Sequence, residues 1–223
     1  DRFFFIDKAA KFFNDALLIG KSNKKIENTS AEILSETYYG LGLVHSEKAS
    51  TGAALECFQE SLKIRQSVFG NFHPQVAATW FSLGSVYSRE GDFKESLKCY
   101  DEALKIRKKL IHANSTTEDF ADVGTTLYKI GTTLKSLGLY EKSLRCLEQC
   151  LQVREAKLGK GQTDVAKTLN HLGVVASKLG EYALAANYWH RSIQAYKTSV
   201  NMEESNRIIQ SIRGNIEMAE RLS

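Results

Sequence analysis

Proline is nearly missing from this sequence: Pro74 is its one proline in 223 residues. Proline breaks helix interiors, so its scarcity leaves long helices uninterrupted. Long apolar runs are missing too. No stretch approaches the roughly 18 apolar residues of a membrane span, although 43% of the chain is apolar. Charge of one sign is also scarce. Thirty basic against 26 acidic residues leave +4, too mild a surplus to argue for nucleic acid. No phosphate-cradling glycine loop, HExxH pair or nucleophile elbow is present. The five histidines (His45, His73, His112, His171 and His190) form no cluster along the chain. Nothing in this inventory points to an enzyme, a metal or a cofactor.

Cysteine is sparse and oddly placed. Cys57, Cys99 and Cys146 each lie fifteen residues after a recurring glycine, and Cys150 lies one helical turn beyond Cys146. A shared register position reads as small packing residues. Neighbouring helix axes stand about 8–10 Å apart, too far for the Cα spacing of a disulfide. No cleavable signal peptide is read, so a cytoplasmic location is expected. The chain starts at Asp1 without methionine. A missing N-terminus is therefore expected as well, and an organelle stays open.

What the sequence does contain is a repeat. Gly42, Gly84, Gly131 and Gly173 follow Leu41, Leu83, Ile130 and Leu172, at spacings of 42, 47 and 42. Seven residues after each glycine stands Ala49, Gly91, Gly138 or Gly180. Twelve after stands a small residue: Ala54, Ser96, Ser143 or Ala185. Sixteen after stands a large one: Phe58, Tyr100, Leu147 or Trp189. Nineteen after is small again, and twenty after is Leu or Ile. Each unit reads as helix, short turn, helix. A glycine inside a helix costs about 1 kcal/mol relative to alanine, so close approach of a neighbouring helix is its expected reason. The second glycine suits a left-handed helix end. Single units cannot bury their apolar faces; stacking does.

The second unit carries W-x₂-L-G-x₂-Y as Trp80, Leu83, Gly84 and Tyr87, the signature of a tetratricopeptide repeat. Ser61-Leu62-Lys63-Ile64-Arg65, Ala103-Leu104-Lys105-Ile106-Arg107 and Cys150-Leu151-Gln152-Val153-Arg154 recur in the second helices. With the link ending His73-Pro74-Gln75-Val76-Ala77, these segments resemble the 42-residue repeats of kinesin light chain and its relatives. The resemblance implies an all-α fold, a right-handed α-solenoid of stacked antiparallel helix pairs. The array is expected over 1–200, in units 1–30, 31–72, 73–120, 121–161 and 162–200. In the first, Ala9, Ala10, Phe13, Ala16, Leu17 and Ile19 match a second helix. They imply a preceding repeat whose first helix is absent, as in a piece cut from a longer array. Phe3, Phe4 and Phe5 fall where its turn should be. The stretch from Ile111 to Asp122 is polar and reads as a mobile link. Ile208, Ile212, Ile216, Ala219 and Leu222 form one helical stripe, expected as a capping helix over 201–223.

The resemblance also implies that first helices line a concave groove. Helical spacing then puts Tyr39, Phe81, Tyr128 and Asn170 on the inner wall, with Arg89, Lys135, Lys167 and Lys178 beside them. Aromatics offer large contact area at low entropy cost, and the basic residues attract carboxylates. The expected partner is a protein or peptide with acidic and apolar residues, held by a scaffold or adaptor within a larger complex. An RNA-binding helical-repeat protein is the alternative. Glu36 and Glu47 on the same wall oppose phosphate. A plain spacer or oligomerisation unit is the third reading.

Overall fold

The computed structural model describes residues 11, 15, 29–111, 117–158, 163–198 and 202–222. Nine helices lie among them: α1 (Thr29–Glu47), α2 (Thr51–Phe69), α3 (Pro74–Arg89), α4 (Phe93–Leu110), α5 (Thr117–Ser136), α6 (Tyr140–Leu158), α7 (Thr163–Lys178), α8 (Tyr182–Lys197) and α9 (Met202–Leu222). No strand occurs among the described residues. The upstream half-unit at Ala9 to Ile19, the phenylalanines at 3–5 and the link residues at 112–116 and 159–162 were all read from the sequence. Apart from residues 11 and 15, they lie outside the described residues.

Two compact units divide the chain, Asp1–Leu110 and Ile111–Ser223. In the first, α1 pairs with α2, α3 pairs with α4, and α2 packs on α3. In the second, α5 pairs with α6, α7 pairs with α8, α6 packs on α7, and α9 closes onto α8. Each unit is thus a stack of antiparallel helix pairs in chain order, the solenoid architecture expected from the repeat.

The repeat glycines show why the pairs close. An added Cβ would stand 2.6 Å from the Phe58 ring at Gly42, 2.7 Å from Tyr100 at Gly84, 2.6 Å from Leu147 at Gly131 and 2.5 Å from the Trp189 indole at Gly173. The large residue sixteen positions on therefore rests in the notch that each glycine leaves. The small residues are tied as well. Ser96 and Ser143 donate to the carbonyls of Gly84 and Gly131 at 2.8 and 2.7 Å. Ser61, Ser192 and the Cys150 thiol donate one step further, to the carbonyls of Ser35, Ala166 and Gly124. These buried side-chain donors are thereby satisfied, whereas Trp189 Nε1, wedged against Gly173, is buried without a hydrogen-bond partner. Two core clusters result, one around Phe58, Leu83 and Val86, the other around Leu147, Leu172 and Trp189.

The turns follow the same rule with one exception. Gly91, Gly138 and Gly180 take φ of 81°, 73° and 81°, while Ala49 at the equivalent place takes φ of 56°. A Cβ in this region costs about 1–2 kcal/mol. Ala49→Gly is therefore expected to raise the stability of the first unit by about 1 kcal/mol, set against the added entropy of the unfolded glycine. A urea-denaturation midpoint that stays put or falls would contradict this.

Helix starts are readable locally. Pro74 opens α3 behind His73, whose Nδ1 accepts from the Gln75 amide at 3.3 Å. His73 also stacks on Phe69 at 4.3 Å, which fixes the exit of α2. Two differences from the sequence reading stand out. Helix α5 begins at Thr117, inside the stretch that composition reads as a link. A carboxylate such as Asp119 near its N-terminus suits the helix dipole. On α9 the buried residues are Ile209, Ile212, Ile216 and Ala219, while Ile208 is only half-buried. Leu222 is 56% exposed and Met218 63%. Ile209 joins the core cluster of the second unit in full, with Ile208 packed against it.

Candidate functional site

The eight residues expected on the inner wall sit on α1, α3, α5 and α7. Within each unit the first helices meet side by side. Tyr39 on α1 reaches Ser82 on α3, hydroxyl to hydroxyl at 3.1 Å. Arg89 on α3 donates to the Ser46 carbonyl on α1 at 2.7 Å, and to its hydroxyl. In the second unit, Lys135 on α5 lies 3.3 Å from His171 Nδ1 on α7, and the Tyr128 ring meets the His171 ring edge-on at 5.3 Å. Arg89, Lys167 and Lys178 are exposed; Tyr39, Phe81, Tyr128, Lys135 and Asn170 are half-buried.

The aromatics have partners of their own. The Arg65 guanidinium lies 4.3 Å from the Tyr39 ring centre, Arg107 lies 4.9 Å from Phe81, and Arg154 lies 4.9 Å from Tyr128. Each arginine follows its repeat glycine by 23 residues, on the second helix of the same pair. Arg65 is 2% exposed. It donates to Gln75 O at 3.0 Å, to Thr79 Oγ1 at 2.7 Å and to Glu36 Oε1 at 2.9 Å. Arg154 repeats the pattern on α7, with Asp164 O at 2.9 Å and Thr168 Oγ1 at 2.7 Å. Both threonines give their own proton to the carbonyl four residues back, which turns a lone pair toward the arginine. A cation taken out of water needs this many acceptors. Arg65 therefore ties the first pair to the second, and Arg154 the third to the fourth.

This lock was missed in the sequence, yet it leaves a trace there. Threonine stands five residues before every repeat glycine, as Thr37, Thr79, Thr126 and Thr168. In the fourth unit the arginine becomes Tyr196 and the aromatic becomes Asn170, so both partners change together. The side-chain oxygen of Asn170 is buried with no hydrogen-bond partner. Half-buried Asn170 is thus the one of these four equivalent positions that no arginine from its own pair covers.

Electrostatics separate the second unit's pair from the rest. Burial pushes the Lys135 ammonium below its usual range. His171 is pushed down to about 4 by burial first and by the Lys135 charge second. Its folded value lies below the unfolded 6.5, so the unfolded chain takes up the proton first as pH falls. Stability from this group is fully present above pH 6.5 and is lost on the way to 4. The loss amounts to at most about 3 kcal/mol. Denaturation curves at both ends of that window should differ less in His171→Gln than in the native chain. An equal difference in both proteins would refute the assignment. Burial raises the thiols of Cys57 and Cys150 and pushes Cys99 up to about 12, which disfavours their thiolate forms.

A cavity of about 170 Å³ opens between α7, α8 and α9, lined by Val174, Ser177, Lys178, Trp189, Asn215 and Met218 among others. No group of three or more potential metal ligands occurs among the described residues. None of the described helices is long and apolar enough to cross a membrane.

Comparison with known proteins agrees with this geometry. A family model described as tetratricopeptide repeat matches residues 33–109 and 122–198. A sequence comparison with curated proteins finds no match. Among solved structures, the chain is similar to BtubC (BKLC) from P. vanneervenii, at 15% identity and a TM-score of 0.68, covering 97% of this chain and 90% of that one. It is also similar to a Podosopora anserina protein described as a kinesin light chain with nearly identical TPR-like repeats, at 13% identity and 0.70, covering 88% and 90%. The apo form of RapI gives 0.76 at 13% identity, covering 96% of this chain and 54% of that one.

Proposed function

The chain belongs to the tetratricopeptide-repeat family, a class of protein-interaction scaffolds, and from that premise we propose that it holds an extended segment of a partner protein along the faces of its first helices. The segment carries acidic and apolar residues. One observation carries this reading: Lys178, an exposed cation, stands at the rim of the largely apolar 170 Å³ cavity between α7 and α9. A cavity of about 150 Å³ accommodates benzene, so this one has room for a leucine- or phenylalanine-sized side chain. Lys135 and Lys167 on α5 and α7, and Arg89 on α3, supply further positive charge for a partner's carboxylates. This is scaffold work, and it needs no catalytic group.

A peptide-display selection tests the proposal. The native chain should enrich peptides that pair Asp or Glu with Leu, Phe or Met. Arg89→Glu with Lys135→Glu should weaken those peptides by about tenfold or more. Replacing Phe81 or Tyr128 would break an arginine contact, and Arg89→Glu loses the bonds to Ser46, so each variant's denaturation midpoint is compared with that of the native chain. Peptides bound equally by native and reversed chains would point instead to a spacer that uses other faces. Tight single-stranded RNA binding, lost steeply between two salt concentrations, would favour the RNA alternative.

A further inference from the structure

Helix α9 has two unlike faces. Ile209, Ile212, Ile216 and Ala219 are buried in the core of the second unit. On the opposite side Gly214, Met218 and Leu222 follow one another at one helical turn. Glu217 and Arg221 run along one flank at the same spacing. These five residues are exposed and line a shallow groove of about 440 Å³. A glycine inside a helix costs about 1 kcal/mol relative to alanine. At Gly42, Gly84, Gly131 and Gly173 a bulky side chain sixteen residues on, from the antiparallel helix, takes up the space that the glycine leaves. At Gly214 nothing lies within 4 Å of an added Cβ. The notch is there, and the chain's own packing does not use it. The same face also presents two large apolar side chains, Met218 and Leu222, to solvent. It therefore holds both halves of the contact that closes each helix pair.

We infer that this face of α9 is a self-association surface, on which a second copy of the chain lays its own α9 antiparallel. The face is complementary to itself. Leu222 lies four residues after Met218, and Gly214 lies four before it. A two-fold axis at Met218 therefore brings Leu222 of each copy to the Gly214 notch of the other. Leu147 against Gly131 is the same contact within one chain, again between antiparallel helices. Antiparallel pairing also sets each flank against the same flank of the other copy. Glu217 of one copy then stands about two residues, or about 3 Å along the axis, from Arg221 of the other. Long side chains span that offset, and the symmetry makes two such ion pairs. Among the described residues neither Glu217 nor Arg221 has an ion-pair partner within its own chain. One helix face covers far less than the roughly 1,600 Å² of a standard interface, so the pair is weak and reversible. The inference goes beyond the peptide reading and does not rest on it.

The test is sedimentation equilibrium of the full chain. Between about 5 and 500 µM the average mass should rise from that of one chain toward that of two, and no further. Glu217→Arg sets arginine against arginine across the contact, and Arg221→Glu sets glutamate against glutamate. Each alone should weaken pairing about tenfold or more. An equimolar mixture of these two variants restores opposite charges across the contact and should pair about as well as the native chain. Gly214→Leu fills the notch from its own side, in open space, and should hold the chain at the mass of one copy. All three positions are exposed, so circular dichroism of each variant should match the native chain. Glu217 and Arg221 line the outer groove and not the 170 Å³ cavity, so loss of pairing reads apart from loss of peptide. A native chain that keeps the mass of one copy throughout would overturn the inference. So would pairing that survives Glu217→Arg or Gly214→Leu, a mixture no better than its components, or growth past two copies.

Discussion

Gly173→Ala is expected to destabilise the second unit by about 2–3 kcal/mol, although alanine is the better helix former by about 1 kcal/mol. The added methyl would lie 2.5 Å from Trp189 Nε1, with two more indole atoms within 2.7 Å. The indole is 3% exposed and packs in the core with Leu172, Ile193 and Ile212, so retreat toward the cavity that it lines would break those contacts. A rigid ring held on several sides forces the backbone of α7 and α8 apart. Two other glycines supply the comparison. At Gly131 the facing side chain is Leu147, which has rotamers to spare. Gly131→Ala should therefore cost less, about 1–2 kcal/mol. At Gly214 an added Cβ meets nothing within 4 Å, and the residue is an exposed mid-helix position on α9. Gly214→Ala should stabilise by about 0.5–1 kcal/mol. Urea-denaturation midpoints check the order. If Gly173→Ala and Gly214→Ala moved the same way, the notch would not be the reason for the repeat glycine.

Arg154→Ala is the second large effect, a loss of about 3 kcal/mol. The guanidinium is 4% exposed and makes two short hydrogen bonds to α7. Hydrogen bonds that involve a charge contribute about 1.5–3 kcal/mol each. Its stem also fills space that alanine leaves empty. The pattern across substitutions is more telling than one value. Arg154→Lys should still cost about 2 kcal/mol: Nη1 alone serves Asp164 O and Thr168 Oγ1, and an ammonium in its place gives up Nη2, 3.8 Å from the Asp164 carboxylate, and the planar contact with the Tyr128 ring. Arg154→Met should cost less than Arg154→Ala, since it restores bulk without burying a charge. A stable Arg154→Lys variant would show that charge alone, not the forked shape, joins the third pair to the fourth.

Much of the fold was legible because its signals are local or periodic. The glycine spacing set the unit, and His73-Pro74 set one link. The alternation of small and large residues foretold which side chain fills which notch. Phe58, Tyr100, Leu147 and Trp189 all lie against their own repeat's glycine. The inner wall was harder to read. Tyr39, Phe81 and Tyr128 were placed on it by helical spacing, and each also carries an arginine from its own second helix. Spacing along one helix says which way a side chain leaves, not what it meets. The Lys135–His171 pair was invisible for the same reason: its members belong to different units of the repeat, and no other unit has a histidine at that place. At the start of α5, polar composition suggested a link where the helix already begins, at Thr117.

The central claim is that the first helices receive the partner. Backbone amide shifts of the full chain, recorded during titration with the best display-selected peptide, test it most directly. The account predicts that perturbed amides concentrate on α5, α7 and the cavity side of α9, around Lys135, Lys167, Asn170, Lys178 and Met218, with the exposed residues of α6 and α8 nearly still. Shifts centred instead on the exposed residues of α6 and α8 would contradict it.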